Sequence, residues 1–171
     1  MPEVIDARVG GAYASQLDSM NKLYVQRLRI DCSEADANVP GKIGTVGSGD
    51  TVQVFNIPAG FEVPSNSLRV VTPEGGTLTV DGGLYTAAGV AIDADGLLDG
   101  VDCNATADTC YSNRQVTLEE AAPPVPHPAY FAGAPASAVD RIFALLFNNE
   151  ADAAVLDVSL SMVKVFDIEE D

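Results

Sequence analysis

The chain has 171 residues, with 25 Asp or Glu against 9 Lys or Arg and a formal charge of −16. Without a basic cluster to meet phosphates, that balance argues against direct nucleic-acid binding and against docking on anionic membranes. Hydrophobic residues make up 47%, too many for global disorder, and a domain of this length buries roughly 70% of its unfolded surface without a metal or disulfide.

Aromatics supply only 6% and Trp is absent, so the core must be built from small and β-branched side chains, as in thin sheets packed face to face. No apolar run is long enough to span a membrane. The opening MPEVIDARVGGAYAS has neither a basic n-region nor an apolar h-region, which argues against Sec export and for synthesis in a cytoplasm.

In chain order, residues 1–22 resemble no strand. Tyr13, Leu17 and Met20 fall at helical spacing, with Tyr24 continuing it, so an ordered arm or short helix is expected. It either caps the domain's own core or reaches a neighbour. LYVQRLRID, residues 23–31, alternates Tyr24, Gln26, Leu28 and Ile30 against Val25, Arg27 and Arg29, the pattern of a half-buried strand. Arg27 and Arg29 then project together, toward the chain's own acids or toward an acidic partner. CSEADANVPGKIGTVGSG is loop chemistry. Thr51 to Ile57 reads as a strand, Pro58-Ala59-Gly60 as a turn, and Phe61 to Val63 as extended chain. Leu68 to Thr72 and Thr77 to Asp81 read as strands around the turn PEGG.

Residues 84–120 read as Gly- and Asp-rich loops around short apolar pieces, Gly89 to Asp93 and Leu97 to Val101, with a further strand at Arg114 to Leu118. AAPPVPHPAYFAGAPASA, residues 121–138, is proline-rich and too apolar for a solvated linker, so it must lie along a surface, its own or a neighbour's. Tyr130 and Phe131 are its anchors. Two strands close the chain, Arg141 to Phe147 and Ala154 to Phe166, around the turn NNEAD. A slip in the alternation at Val163 to Val165 marks a bulge, and an acidic tail, 168–171, follows.

Seven or eight short strands spaced by roughly ten residues define an all-β domain, a β-sandwich or jelly-roll-like fold over 23–167, carrying an N-terminal arm or short helix (1–22) and the long proline-rich loop.

Chemistry is sparse. In IDADGLLDGVDCN, aligning Gly96 with the glycine of a calcium loop places Asp93, Asp95, Asp99 and Asp102 at ligand positions, but Ala91 takes the first position and no helix enters. Asp-Gly turns are the competing reading. His127, between two prolines, has no partner nearby in sequence to orient it as a base. GTVGSG lacks the Lys-Ser/Thr ending of a phosphate loop, and Ser48 sits outside any nucleophile elbow. Cys32, Cys103 and Cys110 with a single histidine do not make a zinc site. Cys103 and Cys110 are close enough in sequence to be bridged, and three free thiols are the alternative. No catalytic residue, metal or cofactor is implied.

The strings TVQVFNIPAG, SLRVVTPEGGTLTVDGG, DADGLLDGVD and NNEADAAVLDVSLSMVKVFD resemble the capsid decoration, or cement, proteins of tailed bacteriophages over roughly residues 45–103 and 140–167. The resemblance implies a non-enzymatic β-sandwich, often a homotrimer, made in the host cytoplasm and seated on the outer capsid surface, where it bridges major capsid subunits. Residues 1–44, the loop around Cys103 and Cys110, and 121–138 have no counterpart in it. The contact residues expected on this reading are Tyr13, Leu17, Met20, Arg27, Arg29, Tyr130 and Phe131. A tail, fibre or host-glycan-binding β-sandwich is the alternative.

Overall fold

The computed structural model describes residues 2–8, 23–104, 107, 110–112 and 136–165, with side chains of 111 and 112 left aside. Nine strands are present among them: β1 (Val4–Asp6), β2 (Leu23–Asp31), β3 (Thr51–Ile57), β4 (Phe61–Thr72), β5 (Thr79–Thr86), β6 (Ala91–Asp102), β7 (Cys110–Ser112), β8 (Arg141–Phe147) and β9 (Val155–Lys164). They form a five-stranded sheet, ordered β1-β3-β8-β5-β6, and a four-stranded sheet, ordered β2-β9-β4-β7. No helix occurs among the described residues. The all-β sandwich expected from strand spacing is the observed fold.

The two sheets close on one continuous core. Leu28 and Ile30 of β2, Leu68 and Val70 of β4, and Leu156, Val158, Leu160 and Met162 of β9 face Val52 and Ile57 of β3, Val80 of β5 and Phe143, Leu145 and Phe147 of β8. Removing those surfaces from water supplies the main drive for folding. The aromatics are few but central: Phe55 stacks on Phe143 with centroids 6.2 Å apart, and Tyr24 meets Phe61 edge-on at 5.9 Å.

Several local expectations need correction. Val4–Asp6 is a strand after all, paired in parallel with Thr51–Gln53. Its alternation is too short to read from sequence, and the pairing depends on Asp50, whose carboxylate accepts from Glu3 N at 2.6 Å and Gly47 N at 2.9 Å. The extended piece at Phe61 and the strand at Leu68 are one strand, β4, which passes Pro64 by shifting register between Glu62 and Ser65. That shift is the bulge expected near Val163; it lies on the facing strand, because β9 pairs with β2 in unbroken register through Val163. The strand expected at Thr77 runs Thr79–Thr86 instead. The supposed loops of 91–102 are a single strand, β6, and β7 is a further strand that the sequence did not announce. Arg114 to Leu118 and the proline-rich stretch lie outside the described residues.

β6 is legible only with β5 in view. From Gly82 to Leu84 on β5, its partner runs from Leu98 back to Asp93, so the intervening β6 residues bulge away from the ladder. Gly83 permits this crossing: a Cβ there would lie 2.0 Å from the carbonyl oxygen of Asp93. The turn chemistry of DADG is real, but it is spent inside a strand.

Candidate interaction surfaces

The outer face of the four-stranded sheet can be read off its register. Leu23 lies opposite Val163, Val25 opposite Ser161, Arg27 opposite Ser159 and Arg29 opposite Asp157, and β4 continues these rows with Glu62, Ser65, Ser67 and Arg69. One end of the face is therefore apolar, the middle is a serine ladder, and the other end holds three of the chain's few arginines. Ser67 and Ser159 bond through their hydroxyls at 2.7 Å. Arg29 holds Asp157 in a two-pronged pair, Nε to Oδ1 at 2.7 Å and Nη2 to Oδ2 at 2.9 Å. That bond, with the charges of Arg29 and Arg69, holds the Asp157 carboxyl below its ordinary range. Arg29 thus pairs with the chain's own acid, while Arg27, also exposed, makes no ion pair among the described residues.

The second surface is the tip of the β5–β6 hairpin. Val90 and Ile92 are 63% and 52% exposed, and Ala91, Asp93 and Asp95 are exposed beside them. β6 is the edge of its sheet here: Ala91 and Asp93 still pair with Tyr85 and Leu84, the register slips between them, and consecutive side chains are exposed. Asp93 folds back so far that a Cβ on Gly96 would meet its carboxylate at 2.2 Å. Desolvation raises the Asp93 carboxyl above its ordinary range, and the hydrogen bond and charge of Asp95 push the same way.

A third feature is structural. The Glu74 carboxylate, in the β4–β5 turn, accepts from the backbone N–H groups of Asp152 at 3.1 Å, Ala153 at 3.1 Å and Ala154 at 2.8 Å. Desolvation raises its pKa, but the three N–H bonds outweigh that and hold it below its ordinary value. Ala154 O in turn accepts from Cys32 N at 2.9 Å, and Cys103 O accepts from Glu74 N at 3.0 Å. Glu74 therefore stitches both sheets together at one end of the sandwich. Burial pushes the Cys32 and Cys103 thiols up to about 12. Cys103 turns its sulfur inward, toward Val101 O at 3.6 Å, whereas Cys110 is exposed.

No group of three or more His, Cys, Asp or Glu among the described residues is placed to hold a metal ion. The calcium alignment fails because residues 91–102 form an extended strand rather than a loop wrapped round a centre. Tyr13, Leu17, Met20, His127, Tyr130 and Phe131 lie outside the described residues, so only Arg27 and Arg29 of the expected contacts are placed. Sequence reading missed the hairpin tip, although AAGVAI, a run of exposed small and apolar residues beside an Asp-rich stretch, carried the signal. It also missed Arg141, which is buried and crosses between the sheets to donate from Nη2 to Phe61 O at 3.0 Å; burial lowers its pKa.

No protein-family model and no curated protein matches the sequence. Among solved structures, the chain is similar in fold to one in the capsid of Ralstonia phage GP4, at 14% identity and a TM-score of 0.56, covering 88% of this chain and 89% of that one. Weaker likenesses are to chains in the cyanophage Pam1 capsid asymmetric unit, at 13% identity and a TM-score of 0.47, and in the acidic stable capsid of Helicobacter pylori bacteriophage KHP30, at 11% and 0.45. They cover 85% of this chain and 86% and 90% of those chains, respectively. At such scores they add nothing to the fold assignment, which rests on the sandwich itself and on the first likeness.

Proposed function

We propose that this chain is a non-enzymatic virion protein that decorates the outside of a phage head, self-associates as a homotrimer and bridges neighbouring major capsid subunits. The observation that carries the reading is the fold shared, over nearly the whole of both chains, with a protein of a phage capsid. The sequence resemblance to decoration proteins, found in other features of the chain, points the same way. Physically the assignment suits the molecule. Its distinctive residues are on surfaces: an edge strand with apolar and basic side chains, and a projecting hairpin with apolar and acidic ones. Adhesion by several modest contacts needs such surfaces and a rigid body between them. A charge of −16 keeps copies soluble until a specific contact forms.

The test is reconstitution. Heads assembled without this chain, mixed with purified protein, should take it up to saturation and then resist heat better than bare heads. Failure to bind, or binding that leaves heat resistance unchanged, contradicts the proposal.

A further inference from the structure

The two exposed strips sit on opposite lateral edges of the sandwich. β6 ends the five-stranded sheet and touches β7, which ends the four-stranded one; β2 is the other end of that second sheet. The strips cannot meet within one chain. Along β2 the outward side chains run Leu23 (62% exposed), Val25 (50% exposed), Arg27 and Arg29; along the hairpin the exposed residues are, in chain order, Val90, Ile92, Asp93 and Asp95. Each strip is apolar first and charged second, with opposite charge.

We infer that the β2 edge of one copy receives the β5–β6 hairpin of a second copy of this chain, with the two strands running in the same direction. In that direction Leu23 and Val25 cover Val90 and Ile92 while Arg27, which has no ion pair among the described residues, faces Asp95, and Arg29 keeps its pair with Asp157. Reversing one strand would set the arginines against the apolar residues and leave the acids on Leu23, so the charge pattern fixes direction as well as partner. A second copy is the occupant because the complementary strip is present on the chain itself. The contact joins two different surfaces, so it propagates head to tail and must close into a ring to terminate. This rests on the proposed trimer, and it names the surfaces that would build it. Charge on an edge strand also guards against sheet-to-sheet aggregation, but guarding alone asks for no match between the two edges.

The experiment measures the mass of the full chain by light scattering across a concentration series, for the wild type, Arg27→Glu, Asp95→Lys and the double variant. Both side chains are exposed, and circular dichroism checks that each variant is folded. The expected result is a trimer for the wild type, self-association weakened about tenfold or more in each single variant, and recovery in the double variant, where the charges are exchanged. A role in folding alone would not produce that recovery. A wild type that stays monomeric, single variants that associate normally, or a double variant no better than the singles overturns the inference. Head binding is scored separately: a monomer that still decorates heads defeats this inference and leaves the proposed function standing, whereas a trimer that ignores heads does the reverse.

Discussion

The central strands of the two sheets, β8 and β9, are built on different rules. RIFALLF is buried at every position but Leu146, which is half-buried, whereas β9 alternates between half-buried and buried from Val155 to Met162 before ending on two half-buried residues. β8 has core on one side and a second apolar cluster, Tyr85, Ile142 and Ala144 with Ala94 against them, on the other. β9 has core on one side and the serine-and-arginine face on the other. A sheet with both faces covered reads as a continuous apolar run, and one with a solvated face reads as alternation. The molecule therefore has surface to spare on one sheet only: the five-stranded sheet is scaffold over much of its width, and the four-stranded sheet offers a face.

The contrast is sharpest under mutation. Phe143→Ala in β8 removes a fully buried ring stacked on Phe55, and should cost about 3–5 kcal/mol in denaturant melts. Ser159→Ala at the middle of β9 loses one hydroxyl pair on a solvated face and should stay within about 0.5 kcal/mol of wild type. Similar losses at the two positions would mean that the outer face of the four-stranded sheet is covered after all.

Glu74 lies between these extremes. Glu74→Ala leaves three N–H groups of the β8–β9 turn without their acceptor and should cost about 1–2 kcal/mol, discounted for partial exposure. Because the folded-state pKa of Glu74 is below its ordinary 4.5, its contribution is present above that pH and fades as pH falls through the folded value. The wild type should therefore lose more stability on acidification than Glu74→Gln does, as read by melting at pH 7 and at pH 3. Equal losses would mean that the ionised Glu74 carboxylate does not stabilise the fold.

The buried thiols act at the other end of the scale. Cys32 and Cys103 move from an ordinary 9.0 to about 12, so the folded state keeps protons that the unfolded chain gives up. Their contribution is intact below pH 9 and declines as pH rises from 9 toward 12. Cys32→Ala/Cys103→Ala should flatten that alkaline decline while starting from lower stability at pH 7. A decline unchanged in the double variant would place its origin elsewhere.

Much of the sandwich was legible because alternation is a local signal. Leu23–Asp31, Thr51–Ile57 and Arg141–Phe147 have the bounds that their patterns gave. The errors fall where a distant partner overrides the local signal. DADG looks like a turn and is carried instead as a bulge inside β6, at the crossing over Gly83. Pro64 looks like a break and is absorbed as a register shift. VID is too short to show a pattern and becomes a strand through Asp50 and β3. Of the candidate surfaces, Arg27 and Arg29 were visible as two cations on one face, but their apolar neighbours gained meaning only once β2 proved to be an edge. The hairpin tip was hidden because β6 is an edge strand whose slipped register with β5 cannot be read from spacing.

The most direct measurement is the protein content of purified virions, quantified by mass spectrometry against the major coat subunit. A head-decorating protein should be present in a fixed ratio to that subunit, constant between preparations and lost when heads are stripped of their outer proteins. Virions that lack it, or carry it only in the tail, would rule out decoration of the head.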